Sequence, residues 1–278
     1  MQKLHADDLK GVSETLLIPL HYRVQESRTA SSAYQDDIAE HFHDAIDYEW
    51  KKFQSSSLQR PATVSRTVIL DDKVGAFIAG NPHGRIVNLG AGLDTRFHRL
   101  DNGKIEWVEL DLPDVIAFRQ KLGEPSNSRH FFLAASVLDD HWISQVKRHS
   151  DARILFVAEG LFPYFTEEQH RTIFARLADN FPGQEMLFQT SAPSILRELV
   201  QHSDLAKLRT NADVQWGLEE STEVSSLNPN VQFISEFPLL TDYEKLPLPV
   251  QQRVSPDQLV RMAKIFHVRF AQPLEDRI

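Results

Sequence analysis

Two rhythms of apolar and polar residues run along this chain, and one gives way to the other near residue 80. Up to that point apolar positions recur at helical spacing and no convincing strand is visible. Asp36-Asp37-Ile38-Ala39-Glu40-His41-Phe42 with Ala45-Ile46-Asp47-Tyr48 predicts one amphipathic helix. Val68 to Ile78 predicts another, which stops near Gly80-Asn81-Pro82. From Arg85 short apolar runs alternate with amphipathic segments. Arg85–Leu89, Ile105–Leu110, His130–Ala134, Ala152–Ala158 and Glu185–Thr190 read as strands. Helices are expected from about Pro113, over Trp142–His149, and from Thr166 to Asn180. The last opens with a threonine-to-glutamine capping box and is broken by Phe181-Pro182-Gly183. After Pro193 the rhythm is lost: Ile195 to Leu208 looks helical, and the stretch to Asn230 is polar and irregular. Val231–Leu240 then reads as a strand, Asp257–Phe266 as a helix and His267–Pro273 as a final strand.

Alternation of this kind defines an α/β fold: a seven-stranded, mostly parallel sheet with helices on both faces. Residues 1–80 are expected to form an N-terminal helical cap on the same domain as residues 81–278. The segment 193–230 is an insertion after the fifth strand, where a lid or pocket wall belongs.

In such sheets ligands bind beyond the carboxyl ends of the strands. The first strand, Arg85-Ile86-Val87-Asn88-Leu89, ends in Gly90-Ala91-Gly92. Gly90 can take backbone angles closed to other residues, and Gly92 allows close approach to the main chain. Asp94 and Thr95 both suit the cap of the next helix. A dinucleotide turn asks for a third glycine three residues after the second, and Thr95 stands there. A turn without a phosphate cradle suits S-adenosylmethionine, which has adenosine and no phosphates.

The second strand ends in Glu109-Leu110-Asp111. Asp111 is assigned to the ribose hydroxyls, with capping of the helix from Pro113 as its other reading. Ser136, after the third strand, serves the adenine edge or is an ordinary loop serine. Glu159, after the apolar fourth strand, is costly to bury unpaired. It meets either a cationic ligand or a structural ion-pair partner.

The chain has 278 residues, 41% hydrophobic and 25% charged, with a net charge of −9 and no cysteine. Disulfides, thiolate chemistry and cysteine–zinc sites are excluded. A polyanion is repelled on average, so nucleic acid is not an expected partner. There is no apolar run long enough to span a membrane and no apolar secretion core at the N-terminus, so a cytoplasmic location is expected. His41 and His43, two apart on a predicted helix, point to different sides, and neither they nor His141 and His149 read as a metal site.

Three blocks in order, Val87 to Arg96, Glu109-Leu110-Asp111-Leu112-Pro113, and Ala158-Glu159-Gly160-Leu161-Phe162-Pro163-Tyr164, make the chain similar to the leucine carboxyl methyltransferase family. Glu14 to Leu20, Arg66-Thr67 with Asp71, Asn81-Pro82 and Gln215-Trp216-Gly217 resemble its bacterial branch, which is linked to polyketide O-methylation in secondary metabolism. The likeness runs from about residue 12 to 220. It implies a Rossmann-like class I methyltransferase fold and S-adenosylmethionine as cofactor. It further implies that Gly90, Ala91 and Gly92 lie against the cofactor, that Asp111 holds the ribose, that Glu159 meets the methionine end and that Arg66 meets the cofactor carboxylate. Arg23 falls near a family basic position. The family aspartate for adenine is replaced by Ser136, which hands that contact to main-chain groups around Val137. The family Asp-Pro appears as Asp36-Asp37.

The function expected is methyl transfer to a carboxylate, or a hydroxyl, of a small molecule. An ionised carboxylate needs no general base, whereas a phenol does. Tyr164 is the acceptor-side catalytic candidate, with packing beside Phe162 and Phe165 as its other reading. A nicotinamide-dependent oxidoreductase and a cofactor-binding regulator without turnover are the competing functions.

Overall fold

The computed structural model describes residues 3–6, 9, 11–53, 58–124, 127–147, 152–193, 204–208, 214, 216–245, 251–252 and 255–271. Its centre is a seven-stranded sheet of β1 (Arg85–Leu89), β2 (Glu106–Asp111), β3 (His130–Ala134), β4 (Ile154–Ala158), β5 (Glu185–Ser191), β6 (Val231–Pro238) and β7 (Ala263–Phe270). The order across the sheet is β3-β2-β1-β4-β5-β7-β6. Strands β1 to β5 are parallel; β7 runs antiparallel between β5 and β6. The chain leaves β1 towards β2 on one side and reaches β4 on the other. The switch point, where this topology opens a crevice, therefore lies beyond the ends of β1 and β4.

Strand alternation sorts the core onto two faces. Val87, Leu89, Val108, Phe156 and Phe188 face one layer, with Trp142 and Val146 of α6 (His141–Lys147) and Ile173, Phe174 and Leu177 of α7 (Glu167–Asn180). Ile86, Trp107, Leu155, Val157 and Leu187 face the other, against Leu70, Val74 and Ile78 of α3 (Gln59–Gly80). The capping box of α7 is formed as expected, Thr166 with Gln169.

A third apolar cluster joins α1 (Leu17–Ser27) and α2 (Asp37–Ala45) to α5 (Pro113–Lys121) through Leu20, Val24, Phe42, Val115 and Phe118. Two short elements complete the set used below, α4 (Arg96–Leu100) and α9 (Pro256–Met262), with α8 (Val224–Leu227) between α7 and α9 in the chain.

The structure differs from the sequence reading in the N-terminal part. Residues 1–80 do contain strand: Leu4–His5 pairs in parallel with Ile46–Asp47. That pairing draws Ile46 and Asp47 out of the helix, which ends at Ala45. The second helix is twice the expected length, 59–80; its N-terminal half is not marked by apolar residues because its buried positions are Thr63 and Thr67.

Near the C-terminus the helix of Asp257–Phe266 ends at Met262, and Ala263–Phe266 belong to β7. Lys264, Ile265 and Phe266 are all buried because β7 lies inside the sheet. A run buried on both faces has no period that separates strand from helix. Most of the helix expected over 195–208 lies outside the described residues, as do His149, Gln215 and Pro273; Asp204–Lys207 is a 3-10 turn.

Candidate functional site

The crevice at the switch point opens into a cavity of about 620 Å³. All nine residues singled out from the sequence, Arg66, Gly90, Ala91, Gly92, Asp111, Ser136, Val137, Glu159 and Tyr164, line it. They come from α3 and from the ends of four strands, so the parallel topology brings them together.

The glycine turn is tightly held. Gly90 and Gly92 have φ of 65° and 51°, in the left-handed region. The space beside them is taken by protein as well: a Cβ on Gly90 would lie 2.6 Å from Leu161 Cδ1, and one on Gly92 would lie 3.3 Å from Leu16 Cβ. Gly90 N–H donates to Leu110 O (2.8 Å), and Gly92 N–H donates to Asp111 Oδ2 (2.6 Å). Thr95 occupies the cap position of α4 but its side chain makes no capping bond; Asp94, one residue before, accepts from Arg96 N–H through Oδ1 (2.9 Å). Thr95 Oγ1 instead donates to Asp36 Oδ2 (2.6 Å) and ties α2 to the turn.

Asp111 also accepts from Leu112 N–H (2.7 Å). Burial pushes its carboxyl up to about 6, against the opposing pull of the Gly92 and Leu112 N–H groups and Arg119. Each carboxylate oxygen has capacity for a further hydrogen bond. Glu109, two residues earlier, is fully buried and does not line the cavity; it accepts from Asn88 Nδ2 (2.9 Å) and faces His130 and Arg119.

Ser136 forms a local turn. Its N–H donates to Asp139 Oδ2 (3.0 Å) and its Oγ accepts from Leu138 N–H (3.2 Å). The aspartate after β3 therefore holds the Ser136 main chain and is absent from the cavity wall.

Glu159 is in an ion pair, one of the two readings open from sequence. Oε1 accepts from Arg66 Nε (2.8 Å) and Oε2 from Arg96 Nη2 (2.7 Å). Burial alone would raise its pKa, but the two guanidiniums outweigh this and hold it below the usual range. Arg96, fully buried, also binds Asp94 and Asp71 (2.7 Å to the latter), and Arg99 binds Asp71 and Asp36. With Arg23 on Asp94 (3.4 Å), four guanidiniums meet four carboxylates under the cavity floor. None of Asp36, Asp71, Arg96 and Arg99 was assigned a role from sequence. The Asp36-Asp37 and Asp71 matches were the traces of this network.

Arg66 donates Nη1 to Gln189 Oε1 (2.7 Å), which leaves Nη2 without a hydrogen-bond partner among the described residues. Tyr164 is partly buried, and burial raises its phenol above the usual value, with Thr15 and Arg66 pulling the other way. Among the described lining residues there is no histidine and no lysine. Beyond β5 and β7 the wall is apolar, lined by Leu58, Leu240, Leu259 and Met262, which pack together, whereas Leu205 of the 193–230 segment lines the cavity from the cluster that includes Leu16 and Leu93.

The histidines resolve differently from their spacing. His43 Nε2 lies 3.1 Å from His21 Nδ1, while His98, Glu124 and His130 come together with ligating atoms within 4.8 Å of one another. Both oxygens of Glu124 already accept from Arg119, and Oε1 also meets His98.

A switch-point cavity with a glycine turn, a carboxylate after β2 and no phosphate-type third glycine defines a class I cofactor-binding domain. Comparison with known proteins narrows this. The sequence profile named leucine carboxyl methyltransferase matches residues 17–178, and the chain belongs to that family. It is 31% identical over 233 residues to the tetracenomycin polyketide synthesis O-methyltransferase TcmP of Streptomyces glaucescens, covering 84% of each chain. It is 25% identical over 256 residues to the S-adenosyl-L-methionine-dependent methyltransferase dpfgK of Gibberella zeae, covering 86% of each.

The fold matches the crystal structure of magnesium protoporphyrin IX methyltransferase from Synechocystis, at a TM-score of 0.51 and 10% identity over 80% of this chain and 93% of that one. The protein is a methyltransferase, and S-adenosylmethionine is its cofactor. No helix among the described residues is long and apolar enough to cross a membrane.

Proposed function

We propose that this methyltransferase acts on oxygen, and that its acceptor is the carboxylate of a small, largely apolar organic acid. The observation that carries this is the chemistry of the cavity wall. No histidine or lysine lines it among the described residues, Glu159 is neutralised by two arginines, and burial keeps Tyr164 protonated. Such a site is poorly equipped to deprotonate a phenol, whose pKa is near ~10, and has no need to deprotonate a carboxylic acid, already ionised at neutral pH. The TcmP name, which belongs to polyketide synthesis, agrees with an apolar acceptor from secondary metabolism.

The residues present fit the cofactor. The pinned Gly90-Ala91-Gly92 turn leaves a smooth backbone edge for it, and Asp111 has lone pairs left for the two ribose hydroxyls. Val137, buried, offers the adenine apolar surface and its main-chain N–H, while Ser136 is folded back on its own turn. Arg66, with Nη2 unspent, takes a carboxylate, and Glu159, bonded to Arg66 Nε, holds that guanidinium in place. When bound, S-adenosylmethionine supplies a methyl carbon activated by its sulfonium. The protein's part is to align the acceptor oxygen in line with that carbon, an orientation effect of up to ~7–11 kcal/mol. Tyr164 orients the acceptor as a hydrogen-bond donor. Residues 12–23 of the N-terminal cap and Leu205 of the 193–230 insertion keep water from the reacting groups.

Thermal melting tests the cofactor site: S-adenosylhomocysteine raises Tm by mass action and NADH does not. Transfer of a labelled methyl group to a panel of apolar aromatic acids and matching phenols tests the acceptor. Methyl esters are the expected products; methyl ethers alone would overturn the carboxylate reading.

A further inference from the structure

Arg119 is fully buried on α5 and lines no part of the cavity. A guanidinium taken out of water is costly unless its N–H groups and charge are met. Glu124 meets it in fork geometry, Nε to Oε2 and Nη2 to Oε1, both at 2.9 Å, and Glu109 Oε1 lies 3.6 Å from Nη2. The remaining contacts are to the glycine turn. Nη1 donates to Gly92 O (3.2 Å) and Nη2 donates to Asp94 O (2.8 Å). The carbonyl between them, Leu93 O, accepts from Arg23 Nη2 of α1 (2.6 Å). Three consecutive carbonyls of the turn are thus gripped by two guanidiniums.

In a trans peptide the C=O and the following N–H point to opposite sides. A carbonyl fixed on Arg119 therefore turns the next N–H away from Arg119. Gly92, Leu93 and Asp94 all line the cavity, while Arg119 stands behind them. The N–H groups earlier in the turn, of Gly90, Ala91 and Gly92, are held by Leu110 O and Asp111 Oδ2. The turn is clamped on both edges.

We propose that Arg119, held by Glu124 and assisted by Arg23, is a positioning residue for the cofactor: it fixes the peptide planes of residues 92–94 so that the turn meets the ligand in one conformation. The planar fork is required, because these four bonds leave from three separate nitrogens, whereas an ammonium has three N–H groups on a single atom. This rests on Gly90–Gly92 being the cofactor turn. The glutamate of the Glu109-Leu110-Asp111 motif that does not face the cavity acquires its purpose here, as part of the counter-charge for Arg119.

The test uses the full chain with Arg119→Lys, Arg23→Lys, Glu124→Gln and Asp111→Ala. Calorimetric titration with S-adenosylhomocysteine, well below each variant's Tm, reads the dissociation constant; initial rates give kcat and the two KM values. Arg119→Lys is expected to weaken cofactor binding about tenfold, with kcat at saturating cofactor and the acceptor KM retained. Arg23→Lys and Glu124→Gln shift the same constant by less. If Arg119→Lys does not fold, the Glu124→Gln and Arg23→Lys proteins carry the test. Normal cofactor binding in the arginine and Glu124 variants, with binding lost in Asp111→Ala, overturns the clamp and leaves the turn assignment standing. Normal binding in Asp111→Ala overturns the ribose assignment, and with it the cofactor site on which the clamp rests. A fall in kcat and a rise in both KM values together would mark general loosening and also overturns the proposal.

Discussion

The two ends of the cavity are built on opposite plans. At the glycine-turn end the wall is backbone and charge. Strand ends deliver Gly90, Asp111 and Glu159, and four guanidiniums and four carboxylates lock the floor. At the far end Leu58, Leu240, Leu259 and Met262 supply apolar side chains from the residue before α3 and from segments around β6 and α9, widely separated in sequence. On the proposed reading the polar end takes the one fixed ligand, the cofactor, and its groups are held by partners that leave little room for change, while the apolar end takes the acceptor. The apolar end recognises shape, and any side chain of suitable volume serves.

The largest effect is expected at the polar end. Arg96→Met leaves Asp94, Asp71 and Glu159 without their shared cation, and removing one partner from a buried ion network costs about 3–5 kcal/mol. Urea unfolding measures this, and a loss below about 1 kcal/mol would mean that the network is not what holds the floor. At the apolar end Met262→Ala should cost about 2 kcal/mol of stability and change the acceptor KM, while the dissociation constant of S-adenosylhomocysteine stays put. A matching change in cofactor affinity would erase the division between the ends.

The smallest effect is a pH dependence. The folded-state pKa of Asp111, about 6, lies above that of an ordinary aspartate, so the folded protein takes up this proton first. From this group stability falls as pH rises towards 6, whereas cofactor affinity rises as the carboxylate ionises. Affinity should drop roughly tenfold between pH 7 and pH 5, and Asp111→Asn should abolish that slope. A slope that survives in the variant assigns it to another group.

The same contrast explains what was readable in the sequence. Gly90, Gly92, Asp111 and Glu159 could be placed because parallel-sheet topology fixes where strand ends point, whatever the rest of the chain does. Leu259 and Met262 could not, because an apolar residue carries the same signature whether it lines a cavity or fills a core. Arg119 was hidden for a related reason. Its position on α5 is ordinary, and only packing brings it behind a turn 25 residues earlier. Glu109 and Asp111 show the limit of strand alternation. They share a spacing of two, yet one feeds the clamp and the other the cavity, because Asp111 lies at the strand's last residue, where the chain is already turning. In the fold, β7 was misread over its first four residues since a fully buried strand loses its period.

The place of β7 between β5 and β6 has a consequence for how the molecule is made. Strand β6 pairs with β7 and not with β5, although it is translated first. Until residues 263–270 have been synthesised, β5 presents an open edge and β6 has no neighbour in the sheet. Nascent or truncated chains therefore carry a sticky intermediate with two unsatisfied strand edges. Strand β7 closes the β5 edge and gives β6 its partner, so these two edges are satisfied together and late.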